Sequence, residues 1–98
     1  MNMNKHGEAY YLKRRDSIYR RLEQLPRGTI KERRISGHQY YYLQRREGKR
    51  VVHTYIGKTV PEDLRKRMLE REALHEELWK VREVLRKFMA AKFKKMGF

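Results

Sequence analysis

The chain of 98 residues carries 26 Lys and Arg against 12 Asp and Glu, a formal charge of +14 and a pI near 10.4, so its surface must attract a polyanion: nucleic acid, acidic lipid or acidic protein. No stretch approaches the roughly 20 apolar residues of a membrane span and Met1–Gly7 lacks the apolar segment of a secretory signal, which makes membrane the weakest partner and the cytoplasm the expected compartment. Without Cys there are no disulfides or thiolate zinc ligands, and the length suits a single domain with one modest core, whose self-repulsion a dimer or a bound polyanion would relieve.

The first predicted element is a helix over residues 7–25. Tyr11, Ile18, Leu22 and Leu25 fall at intervals of seven, four and three, one helical stripe, while Arg14, Arg15, Arg20 and Arg21 lie largely off it. Pro26 and Gly28 then end the helix, because a residue before proline avoids the helical region and glycine follows helices readily.

A sheet is predicted over residues 28–57. Two-residue turns at Ser36-Gly37 and Glu47-Gly48 would leave three strands, about Thr29 to Ile35, His38 to Arg46 and Lys49 to Ile56. That register pairs Ile30 with Leu43 and Leu43 with Val52. One face then carries Ile30, Tyr41, Leu43, Val52 and Ile56 and serves as the core face. The other carries Lys31, Arg33, His38, Tyr40, Tyr42, Gln44, His53 and Tyr55, too polar for a core and too aromatic for an idle surface.

A long helix is predicted over residues 60–95. Thr59-Val60-Pro61-Glu62 has the form of a capping box with proline in the first turn. The stripe Leu74, Leu78, Val81, Leu85, Phe88 steps by four and three. Such a helix spans roughly 50 Å at 1.5 Å per residue, more than a three-stranded sheet covers. Its second half should pack on the N-terminal helix or on a second copy, which makes a homodimer an open expectation. Glu70, Glu72, Glu76 and Glu77 are placed to pair with Arg67, Arg71 and Lys80 along the same helix. The fold class is therefore α+β.

These elements point to nucleic-acid binding. A sheet ribbon fits the major groove of DNA, where Arg meets a guanine edge, Gln an adenine, and aromatic rings pack on sugars or thymine methyls. Exposed tyrosines can instead stack single-stranded bases, as in sheet-based RNA modules. The competing structural reading makes Tyr40, Tyr42 and Tyr55 cross-strand stabilisers covered by a helix. The interleaved Lys31, Arg33 and His53 favour an open, ligand-binding face.

The run Gly28-Thr29-Ile30, Tyr40-Tyr41-Tyr42-Leu43, Arg46-Glu47-Gly48-Lys49 and Tyr55-Ile56-Gly57-Lys58, followed by a charged helix, resembles the arm-type DNA-binding domain of phage and transposon tyrosine recombinases. It is also similar to small basic prokaryotic domains with the same Tyr-rich, Arg-Glu-Gly-Lys hairpin. The resemblance covers about half the chain. It implies a sheet entering the major groove with a helix behind it, Arg33, Tyr40, Tyr42, Gln44 and His53 at the bases, and Arg45, Arg46, Lys49, Arg50 and Lys58 at phosphates. Duplex DNA is favoured over RNA by this resemblance alone. No recombinase catalytic segment accompanies it, so it implies a mode of binding and not recombination.

Catalytic readings fare less well. Tyr55-Ile56-Gly57 is half the signature of GIY-YIG nucleases, with Arg71 and His75 on the next helix, but no Gly-Ile-Tyr precedes it. Gly57-Lys58-Thr59 lacks the upstream glycine of a P-loop. His6, His38, His53 and His75 have no metal-ligand spacing, and neither Ser17 nor Ser36 sits in a nucleophile motif. The expectation is a protein without catalysis, cofactor or metal. The tail from Arg86 to Phe98 is basic with interspersed aromatic and Met residues, suited to a phosphate backbone or to solvent. The rival class is a helical interaction module that meets an acidic protein or RNA.

Overall fold

The computed structural model describes residues 6–95 and 97, leaving Met1–Lys5 of the N-terminal stretch and Met96 and Phe98 of the basic tail outside. Helix α1 spans Glu8–Gln24, strands β1, β2 and β3 span Thr29–Ile35, His38–Glu47 and Arg50–Gly57, and helix α2 spans Glu62–Lys95. The chain is thus an α+β protein with a helix, a three-stranded antiparallel sheet in the order β1-β2-β3, and a long helix. It divides into two compact units. One is helical, built from α1 and from α2 onward of Glu70; the other is the sheet unit, Leu25–Leu69.

In the helical unit the two apolar stripes meet each other. Tyr11, Ile18 and Leu22 of α1 are buried with Leu78, Val81 and Val84 of α2, and Leu74, Leu85 and Phe88 pack beside them. The stripe that extended beyond the sheet therefore finds its partner within the same chain. Val84 joins it one turn beyond Val81, on the side where α1 lies close enough to bury it.

Charges border this seam. Arg14 and Arg21, seven residues apart, fork onto Glu77 and Glu70, also seven apart, with NH2 to carboxylate distances of 2.6 and 2.9 Å. Glu70 and Glu77 are thus engaged across the seam, a correction to the expectation of pairing along their own helix. A seven-residue step is nearly two full turns, so it keeps both glutamates facing α1. Arg71 donates to the Leu22 carbonyl at 3.3 Å, satisfying an acceptor that the last turn of α1 leaves open.

The Arg14 hydrogen bond holds the Glu77 carboxyl below its usual range against the opposing effect of burial, and the same bond raises Arg14. A carboxyl depressed in the folded state contributes stability that is complete above its unfolded value and is lost as pH falls through its folded value. Both side chains are just over one-third exposed, so solvent screening limits the contribution. Glu77→Gln is expected to cost up to about 1 kcal/mol at neutral pH. The gap between the two proteins in urea unfolding should close in acid, below the ordinary carboxylate range. A gap that persists there would mean that the ion pair is not its source.

The sheet unit is built differently. Ser36 and Gly37 both have positive φ, 52° and 80°, the mark of a type I′ hairpin, and the pairing of Ile30 with Leu43 follows. The second turn is centred on Gly48-Lys49, not Glu47-Gly48, because Gly48 at φ 62° takes the first central position that a type II′ turn reserves for glycine. Leu43 consequently faces Thr54 and not Val52. This two-residue displacement leaves every side chain on its expected face, since strand faces alternate with a period of two.

The register shifts once more between Tyr41 and Tyr42. Tyr42 faces Tyr55 but Tyr41 faces Gly57, so Ile56 is the extra residue of a bulge. Gly28, at φ 118°, approaches β2 so closely that a Cβ there would lie 2.5 Å from the Gln44 carbonyl oxygen. The expected core face is only half-buried at Ile30, Tyr41, Leu43, Val52 and Ile56. The first bond of α2 runs from the Arg65 N–H to the Pro61 carbonyl at 3.1 Å. Pro61, not Thr59, is therefore the residue at the cap, and Glu62 and Asp63 occupy the first turn where the helix dipole favours acids.

Candidate nucleic-acid interface

Cross-strand partners in an antiparallel sheet share a face, so the register alone sorts the side chains. Lys31 with Tyr42, Arg33 with Tyr40, Ile35 with His38 and Thr29 with Gln44 join β1 to β2; Tyr42 with Tyr55, Gln44 with His53 and Arg46 with Val51 join β2 to β3. All eight residues expected on the polar aromatic face lie there together. The opposite face receives Glu32 with Tyr41, Arg34 with Gln39, Arg45 with Val52 and Glu47 with Arg50.

The two faces differ in charge. Both acids of the three strands, Glu32 and Glu47, stand on the half-buried face, where Glu47 pairs with Arg45 at 2.6 Å. The aromatic face has Lys31, Arg33, Arg46 and two histidines and no carboxylate. Of the five residues expected at phosphates, only Arg46 shares this face. Arg45 and Arg50 stand on the other, Lys49 is in the turn, and Lys58 follows β3, exposed.

The rings form a connected strip. Tyr55, 55% exposed, lies 5.4 Å from Tyr42 and 6.3 Å from Tyr40 between ring centroids, and His38 continues the strip 6.5 Å beyond Tyr40. Arg33 lies diagonally across the pairing, its guanidinium carbon 5.3 Å from the centre of the Tyr42 ring and one NH2 at 3.4 Å from His53 Nδ1. Resting on a ring holds an arginine flat and costs its outer N–H edge nothing, because the π face is not a hydrogen-bond acceptor of comparable strength. That edge remains available to an acceptor such as a base or a phosphate oxygen. Tyr40, Tyr42 and Gln44 are half-buried among their neighbours, whereas Lys31, Arg33, His38 and His53 are exposed.

Two residues enter the face that the sequence reading passed over. Ile35 and Val51 are exposed apolar side chains at its two ends. Strict alternation from Arg33 and from His53 places both there, but an isolated aliphatic residue gives no chemical reason to be singled out. The nuclease-like fragment resolves into separate environments: Tyr55 belongs to the aromatic strip, Ile56 to the bulge, and Gly57 ends β3. Among the described residues no group of three or more His, Asp or Glu could hold a metal ion, and no helix is long and apolar enough to cross a membrane.

Residues 11–66 match the family model described as Domain of unknown function (DUF6788). No curated protein and no solved structure matches the chain.

Proposed function

We propose that this chain, which belongs to the DUF6788 family, is a non-catalytic nucleic-acid-binding protein whose aromatic sheet face meets duplex DNA. One observation carries the reading: a face with five aromatic or imidazole rings and three permanent cations has no carboxylate, while both acids of the strands lie on the reverse. Separation of that kind lowers the repulsion a phosphate would meet on one side only. The likeness to arm-type domains supports the duplex and the groove, with Arg33 and Gln44 at base edges and the turn residue Lys49 and Arg46 beside the backbone. A cytoplasmic, nucleoid-associated protein of a prokaryote or mobile element fits this role.

The deciding measurement is affinity for duplex DNA, single-stranded DNA and RNA over a salt series. With about six phosphates contacted, the logarithm of the duplex binding constant should fall with the logarithm of salt at a slope of roughly −5, about −0.9 per phosphate. Lys49→Ala should flatten that slope by about one unit on every duplex alike. A slope near zero would overturn the reading, and tighter binding of single strands would move it to base stacking on Tyr40, Tyr42 and Tyr55.

A second reading, association through α2, is favoured by Trp79, which is 66% exposed. A dimer seen by light scattering and lost on Trp79→Ala would support it; a monomer at all concentrations would remove it.

A further inference from the structure

The two flanks of the helical seam are not alike. Taking the buried stripe of α1 as the centre, Arg14 and Arg21 turn to one side and Arg15 and Tyr19 to the other, as a 100° step per residue requires. On the first flank each arginine is forked by a glutamate of α2. On the second flank the corresponding positions of α2 hold Arg82 and Arg86, and the helices enclose a cleft of about 460 Å³.

The cleft has the composition of a phosphate site. Arg15, Arg82 and Arg86 line it, with one carboxylate, Asp16. Asp16 meets Arg15 through a single contact at 3.2 Å, and Arg86 has only Glu83 of its own helix, at 3.1 Å. Neither contact is the two-point fork that occupies Arg14 and Arg21, so most guanidinium N–H groups here still face solvent. Tyr19 and Met89 are exposed walls of the same cleft, and Leu85 is half-buried beneath them. A pocket with three arginines, one acid and an apolar wall suits a ligand carrying negative charge at one edge and a ring or sugar at the other.

We infer that this cleft is a second nucleic-acid contact, in which Arg82 and Arg86 grip a backbone phosphodiester while the adjoining sugar rests on Tyr19 and Met89. The inference rests on the nucleic-acid reading of the chain but not on the sheet as its site. A carboxylate-bearing protein segment is the competing occupant. It matches the charge but offers no flat apolar group to the Tyr19 and Met89 wall.

The test follows the Arg82 and Arg86 Nε–H and Tyr19 ring resonances of the full chain by NMR during titration with a short DNA duplex, and then with a polyglutamate peptide. The duplex should shift all three, more strongly than the peptide, and should do so equally in an Arg33→Ala/Tyr42→Ala variant. In parallel, Arg82→Gln/Arg86→Gln should flatten the salt slope of duplex binding by roughly two units, about 0.9 per lost phosphate contact, with an unchanged helical circular dichroism. If the duplex shifts the sheet tyrosines but not these resonances, the inference falls and the sheet reading stands. If it shifts the cleft but not the sheet, the inference stands and the sheet reading falls. Equal or larger shifts with polyglutamate overturn the inference, because the cleft would then recognise carboxylates.

Discussion

Ile18→Ala is expected to lower the stability of the helical unit by about 2–5 kcal/mol, the range for removing a large aliphatic side chain from a closed core. Ile18 is fully buried in a small cluster with Tyr11, Leu22, Leu78, Val81 and Val84. With so few members, no neighbour can move into the void without uncovering another. The cost has two parts, the lost transfer of the removed carbons from water and the lost dispersion contacts around the cavity. Ile18→Val should cost only about 0.5–1.5 kcal/mol. Leu43→Ala provides the contrast, because Leu43 is half-buried in the sheet and leaves a notch open to water. Urea unfolding followed by circular dichroism should rank the three as Ile18→Ala, then Leu43→Ala and Ile18→Val together. A Leu43 effect as large as that of Ile18 would show that the sheet has a closed core of its own.

Arg33→Ala should weaken binding to the preferred duplex by about 1–3 kcal/mol and reduce the preference among duplexes, with little change in stability. Arg33 is exposed and its neighbours within the chain are Tyr42 and His53, so its removal leaves no buried group unsatisfied. The energy at stake is instead the two-point contact of a guanidinium held flat before a base edge. Arg45→Ala is the matched control. It removes the same charge from the opposite face, where Glu47 already neutralises it, and should change duplex affinity little. Fluorescence anisotropy on several duplex sequences reads both effects. Equal losses from Arg33→Ala and Arg45→Ala on all sequences would mean that overall charge, not the aromatic face, drives binding.

The sheet shows why some features are legible in a sequence and others are not. The Ser36-Gly37 turn could be located because the flanking strands fix its length and glycine accepts a positive φ. The second turn slipped by one residue on each side because Glu47-Gly48 and Gly48-Lys49 both contain the needed glycine, and only the handedness of the turn decides which position it takes. The binding face survived that slip because a displacement by two preserves the alternation. Its eight residues were therefore recoverable from Lys31, Tyr42 and His53 alone. The bulge at Ile56 was not, since it depends on how the ladder ends at Gly57. The ion pairs of Arg14 and Arg21 were hidden for another reason. Along α2 the glutamates have acceptable partners three or four residues away, and only the presence of α1 gives them better ones.

The order β1-β2-β3 leaves the outer ladder positions of two strands unpaired within the sheet, and each of these strands is protected from recruiting a further strand by a different means. Along β1 the consecutive charges Lys31, Glu32, Arg33 and Arg34 would have to be desolvated beside an incoming chain. Along β3 only Arg50 is charged, and Val51, Val52, Tyr55 and Ile56 make a composition prone to strand addition. There the irregularity at Ile56 takes over, bending the ladder so that a straight neighbour cannot stay in register. Ile56 thus guards against aggregation by backbone geometry, and a chain from which it had been deleted would offer copies of itself an unbroken edge.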